Sequence, residues 1–152
     1  DYYTRMVKMK TIRQSVFETN SSSCHSFSIT NKRKFDPKDY PRIRALGRGE
    51  YGWSGPTIDT PDELLEYALV AGKYCFPDGG VRERLPAIAD YFKEHGVILD
   101  FYFEGEPSGY IDHQSAPGRD EDSKRIGNML DNPEALFNFV FSASEITIDN
   151  DN

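Results

Sequence analysis

Residues 97–103, Val-Ile-Leu-Asp-Phe-Tyr-Phe, are apolar at nearly every position. A run of this length is far short of the ~20 residues that cross a bilayer, and its aromatic and branched side chains suit a strand. Near-continuous apolarity, as opposed to alternation, points to burial on both faces, so the expected place is the centre of a sheet. Asp100 is the exception within the run. It is either a buried carboxylate with a raised pKa, and then a site candidate, or a side chain facing water from an edge.

The segments around this strand read as helices. Thr60-Pro61-Asp62-Glu63 carries an N-cap, a Pro at the first helical position and a Glu completing a capping box. Leu64, Leu65, Ala68 and Leu69 then form one stripe, with Gly72 as the expected stop. A second helix is expected over about 82–95, with Leu85, Ile88, Ala89 and Phe92 on its buried face and Gly96 as its end. His95 at that end is expected to interact with the helix dipole. A third helix is expected at about 124–131. A fourth follows Asn132 as N-cap and buries Leu136, Phe137, Val140 and Phe141.

The remaining strands are shorter. Residues 10–18 and 24–31 read as a hairpin closed by the polar loop Thr19-Asn20-Ser21-Ser22-Ser23. Residues 109–115 (GYIDHQS) read as the partner of the 97–103 strand, and 144–149 as a final strand. Residues 31–59 are punctuated by Pro and Gly and contain the basic clusters Asn31–Phe35 and Arg42, Arg44, Arg48. They read as an irregular, functional or mobile loop. The fold expected is therefore α+β: a mixed, mainly antiparallel sheet with three or four helices packed on one side. Residues 9–152 would form a single domain. Residues 1–8 read as a leader or an expression remnant, with Met6 or Met9 as the natural start.

Ten Phe and nine Tyr supply an aromatic core, which a disordered chain lacks. The net charge of −7 counts against coating nucleic acid with the whole surface. No direct nucleic-acid binding and no membrane partner are expected, and the expected location is the cytoplasm. Cys24 and Cys75 form no Cys-x-x-Cys pair, so a structural zinc finger is excluded on ligand count. Both read as free thiols.

Three polar segments could carry chemistry. The first, Thr19 to Ser26, gathers hydroxyls, an amide and the imidazole of His25. Small side chains there let the backbone approach phosphate or sugar oxygens. A Ser-rich hairpin loop making its own turns would look the same. The second is Ile111 to Ser115, in which Asp112-His113 is an acid–imidazole pair, or His113 a structural histidine with its hydrogen bond. The third is Asp149 to Asn152, whose alternation begins a calcium-loop pattern without its Gly or distal Glu, or is a solvated tail. His25, His113 and a C-terminal aspartate would together suit zinc, manganese or iron. No nucleophile elbow and no Gly-Lys-Ser/Thr phosphate loop is present.

The stretch Ile12-Arg13-Gln14-Ser15-Val16-Phe17-Glu18-Thr19-Asn20-Ser21-Ser22-Ser23-Cys24-His25-Ser26 resembles the N-terminal signature of a group of uncharacterised phage and bacterial proteins. Tyr51-Gly52-Trp53, Tyr110-Ile111-Asp112-His113-Gln114-Ser115 and Asp149-Asn150-Asp151 resemble later blocks of the same group. Cys24 stands where Ser or Thr is expected, so the resemblance lends position 24 no hydroxyl role. It implies a phage or mobile-element setting and brings no established activity.

The leading expectation is a protein that binds, or acts on, a phosphate-containing or nucleotide-like ligand. Arg13, Asn20, Ser21, Ser22 and Ser23 would hold it, and His25, His113 and Asp112 would supply acid–base groups. Asp149 and Asp151 would orient them or take a divalent metal. The competing expectation is a non-catalytic acidic inhibitor, such as an anti-defence protein. It would present Asp120, Glu121, Asp122 and the acidic tail to a basic host protein surface.

Overall fold

The computed structural model describes residues 28–29, 34–51, 57–111 and 121–142. Its elements run β1 (Ser28–Ile29), a 3-10 turn (Pro37–Asp39), β2 (Arg42–Ala45), β3 (Glu50–Tyr51), β4 (Thr57–Ile58), α1 (Pro61–Cys75), α2 (Gly80–Glu94), β5 (Ile98–Phe101), β6 (Tyr110–Ile111), α3 (Glu121–Gly127), a second 3-10 turn (Asn128–Asp131) and α4 (Pro133–Phe141).

The four described helices lie near where the patterns put them, but α3 spans Glu121–Gly127 and the rest of the expected 124–131 helix is the second 3-10 turn. α1 is the axis of the core. Leu64, Leu65, Tyr67, Ala68, Leu69 and Val70 are all fully buried, so it is apolar on more than one side, as a helix wrapped by neighbours must be. It packs against α3, α4 and β2. Its start departs from a capping box: the Thr60 hydroxyl donates to the Glu63 carboxylate at 3.0 Å and no side chain caps the first turn. Gly72 does not stop α1 but lies inside it, where a Cβ would run into Leu130 of the second 3-10 turn. The helix ends at Cys75 instead.

α2 ends as expected. Gly96 is left-handed at φ +88°, and its N–H donates to Lys93 while that of Val97 donates to Phe92, at 3.0 and 2.9 Å. That is the paired closure of a Schellman motif. His95 caps it with Nδ1 2.8 Å from the Tyr91 carbonyl and its ring stacked on Tyr91 at 4.2 Å. At α4, the Asn132 side chain accepts from the Ala135 N–H at 3.2 Å, as its N-cap role requires.

The sheet differs from expectation. Every described strand pair is parallel: β1 with β4, β2 with β5, and β3 with β6. The physical reason is the connection. β2 and β3 leave through α1 and α2 before β5 returns alongside, and a crossover of that length brings the chain back in the same direction. Residues 109–111 do not pair with the 98–101 strand; both lie along 42–51 instead. β2–β5 and β3–β6 are separate two-stranded ladders that follow one another along the same two lines of chain. The sequence offset is 56 at Arg42↔Ile98 and 60 at Glu50↔Tyr110, so the second line carries four extra residues in the loop between β5 and β6. Because four is even, the inward positions stay inward after the loop. Ile43, Ala45, Tyr51, Leu99 and Ile111 are buried.

β5 is not the centre of a sheet. Among the described residues β2 is its one neighbour, and it is not buried on both faces: Ile98 is 39% exposed, Leu99 8%, and Asp100 and Phe101 are half-buried. Asp100 accordingly faces outward and accepts from Arg42 at 2.7 Å, half-buried. Residues 31–59, expected to be irregular, supply three of the six described strands.

Candidate functional site

The parallel strand β2 runs into a tight turn, Leu46 to Gly49, before β3. One carboxylate organises that turn. Glu66, on α1, accepts from the Leu46 N–H with Oε1 at 3.1 Å, and with Oε2 from Arg48 at 2.6 Å and Gly49 at 3.2 Å. Three backbone donors that a loop would leave to water are thereby tied to a helix. Gly47 sits in this turn at φ +65°, a conformation that favours glycine. Its carbonyl accepts from the Gly109 N–H at 2.9 Å, so the turn is held from the β6 side as well.

Beside the clamped turn lies an open cleft of about 360 Å³. Leu46, Tyr51 and Ile58 give it apolar walls, and Arg44 and Arg48 line it together with Asp62, Glu63 and Glu66 of α1. Among the described residues, neither guanidinium has a carboxylate or hydrogen-bond partner. Arg42, by contrast, is committed to Asp100. Tyr51 packs edge-on against Tyr67 at 5.0 Å. Burial holds its phenol above the ordinary value, and the nearby Glu66 and Glu63 carboxylates push the same way.

The residues nominated from sequence, Arg13, Asn20, Ser21, Ser22, Ser23, His25, Asp112, His113, Asp149 and Asp151, all lie outside the described residues. So do Asp120 and the acidic tail. Of Glu121 and Asp122 only the helical backbone is described. The cleft rests on different residues. Arg44 and Arg48 belong to a basic cluster visible in the sequence, and its Gly-punctuated spacing was the available signal for a ligand-facing turn. Glu66 gave no such signal, because it reads as one more polar residue on a helix.

Among the described residues no group of three or more His, Cys, Asp or Glu side chains could hold a metal ion, and no helix is long and apolar enough to cross a membrane. Cys75 is a free thiol, half-buried, with Sγ 3.6 Å from the Lys124 carbonyl. Burial raises its pKa, against a smaller lowering by Lys124, which is the setting of an inert thiol, not a nucleophile. No family model, curated protein or solved structure matches this chain.

Proposed function

We infer that the protein binds a phosphate-containing, nucleotide-like ligand in the cleft beside the Leu46–Gly49 turn. The observation that carries this reading is the pair of guanidinium groups, Arg44 and Arg48, that have no partner among the described residues and line the cleft with apolar Leu46, Tyr51 and Ile58. Arginine is the side chain suited to planar, bidentate contact with phosphate. Glu66 holds the turn before any ligand arrives, which lowers the ordering cost of binding. The acidic residues that line the cleft with the two arginines would accept hydrogen bonds from a sugar or base.

The polar segments named from sequence adjoin, along the chain, strands that pair with cleft-lining ones. Residues 20–26 lead into β1, which pairs with β4, and Ile58 of β4 lines the cleft. Asp112 and His113 follow β6, where Ile111 pairs with Tyr51, another lining residue. In this reading Asn20 to Ser23 add ligand contacts and His25, Asp112 and His113 add acid–base groups, in a phage-type protein. Thermal shift and calorimetry with inorganic phosphate, ribose 5-phosphate and a nucleotide panel test it. A stabilisation of several degrees is expected, lost in Arg44→Ala with Arg48→Ala and weakened in His25→Ala. No shift with any of these ligands sinks the reading.

A second reading has its own observation. Glu50, Asp62 and Glu63 line the cleft, and the chain carries a net charge of −7. These suit a non-catalytic inhibitor docking on a basic protein surface. It predicts no nucleotide shift and a salt-sensitive complex with a lysine- and arginine-rich partner, weakened by Glu50→Lys and Asp62→Lys.

A further inference from the structure

The loop between β5 and β6 runs beside the Leu46–Gly49 turn and is bonded to it. The Tyr102 N–H donates to the Ala45 carbonyl at 2.8 Å, that of Gly109 to Gly47 at 2.9 Å and that of Tyr110 to Gly49 at 3.0 Å. The Phe103 ring lies against Gly47, where a Cβ would stand 2.8 Å from it, and Gly109 comes so close to Gly49 that a Cβ on it would collide with the Gly49 backbone. The turn that shapes the cleft is thus held by Glu66 from α1 and by this loop from the other line of chain.

The four extra residues of the loop carry it out to the start of α2. There Arg82 donates to the Phe103 carbonyl and lies over its ring, 5.0 Å from the centroid. Glu106 accepts from the Gly79 N–H with Oε2 at 2.5 Å, which sets a carboxylate at the positive end of a helix. Both partners in that last bond carry a penalty. Glu106 Oε1 is buried and has no hydrogen-bond partner among the described residues, and an acceptor taken from water without a donor is destabilising. Gly79 and the residue before it, Asp78, are both left-handed, at φ +87° and +58°, a region that disfavours a residue with a Cβ. Release of Glu106 returns its second oxygen to water and lets Asp78 leave that region. Arg82 at Phe103, and Lys73, which donates to the Gly109 carbonyl, retain the loop in either state.

We propose that the β5–β6 loop is a latch on the cleft: Glu106 holds it closed on α2, and its release loosens the Leu46–Gly49 turn and lowers the affinity of the cleft. Control of affinity rests on the phosphate reading of that cleft, whereas the coupling of Glu106 to the turn does not. The route is short. From Gly79 it passes through Glu106 to the loop backbone, and from Phe103, Gly109 and Tyr110 to Gly47 and Gly49. Glu106 touches no cleft-lining residue, so it acts as a positioning residue. A cleft whose competent form is populated for only a fraction of the time binds more weakly by that fraction. The coupling is reciprocal: a ligand that prefers the ordered turn tightens the latch by the factor with which the latch favours the ligand.

The test is amide hydrogen exchange of the full chain, resolved by residue, in the wild type, Glu106→Ala and Glu106→Gln. In Glu106→Ala the amides of Leu46, Arg48, Gly49, Gly109 and Tyr110 should exchange roughly 5- to 150-fold faster, well beyond any change at Leu69 and Val70 inside α1. Glu106→Gln, which keeps an acceptor for Gly79, should accelerate them less. Calorimetry with inorganic phosphate, ribose 5-phosphate and the nucleotide panel should show binding weakened roughly 5-fold or more in Glu106→Ala. The bound ligand should also slow exchange at Gly79 in the wild type. Acceleration that is equal at all these amides, α1 included, or absent from the turn, overturns the latch. A ligand bound equally by the wild type and Glu106→Ala overturns the control of affinity and leaves the phosphate reading standing. Acceleration confined to loop and turn, with no ligand bound by the wild type, removes the phosphate reading and upholds the coupling of Glu106 to the turn.

Discussion

Glu66 is the residue on which the cleft depends. Its two oxygens serve three backbone N–H groups across 17 to 20 positions of sequence. Truncation leaves those donors to partial solvation, and a lost charge-assisted partner costs about 2 kcal/mol. Glu66→Ala should therefore lower the urea midpoint by an amount worth about that much. Glu66→Gln, which keeps one acceptor oxygen, should cost roughly half. Equal losses would mean that the carboxylate's charge is irrelevant to the turn. Tyr51 makes a second prediction. Its pKa is raised in the fold from an ordinary 10.0, chiefly by burial. The unfolded phenol thus ionises first, and its contribution, complete below pH 10, is lost as pH rises beyond that. The Cys75 thiol, raised from 9.0, acts in the same direction from a lower pH. Stability followed by urea titration should fall between pH 9 and 11, and Tyr51→Phe should flatten the part above pH 10.

At the scale of elements, glycine does two distinct jobs. Gly96 ends α2 from the left-handed region with open space around it, so Gly96→Ala meets backbone strain and no clash. It should cost about 1 kcal/mol. Gly127 permits close contact between α3 and α1. A Cβ there would stand 2.7 Å from the Ala71 carbonyl oxygen and 2.8 Å from Cys75 Sγ. The Ala71 carbonyl belongs to a helix and cannot turn aside, so Gly127→Ala should cost about 2–3 kcal/mol. Thermal melts that rank Gly96→Ala as the more damaging would contradict this packing. The helices were legible because their signals are local: a cap at Asn132, a left-handed Gly96, a 3.6-residue stripe. Gly72 was misread because its sequence cannot say whether a glycine turns the chain or makes room for Leu130. The strands were legible as strands at 98–101 and 110–111, but alternation carries no information about direction. β2 went unseen because Arg-Ile-Arg-Ala is short and its outward positions are charged, which resembles a basic loop until the buried Ile43 and Ala45 are seen in place.

For the molecule as a whole, the fold is assembled from contacts distant in sequence. The two ladders join positions 56 to 60 apart, while α1, which lies between their two lines in sequence, touches α3, α4 and both lines. No helix has a core of its own. Tyr67 of α1 bonds Ser123 of α3, Arg84 of α2 meets Asp131 before α4 at 2.6 Å, and Phe137 and Phe141 of α4 pack edge-on and tilted against Phe92 of α2. This is also why the cleft was hidden. The arginines were visible as a cluster, but the apolar wall from β4 and the clamp from α1 exist only once the crossover is closed. The same interdependence predicts one transition. Unfolding in urea followed by far-UV circular dichroism, which reports the helices, should coincide with near-UV dichroism, which reports the tyrosines of the ladders and α1. Leu65→Ala, at a fully buried position of the shared helix, should shift both curves together by about 2–5 kcal/mol. If instead the helical signal survives after the aromatic signal is lost, the helices hold without the ladders. Arg44 and Arg48 would then sit on a part of the molecule that opens separately, and a preformed phosphate site could not be maintained there.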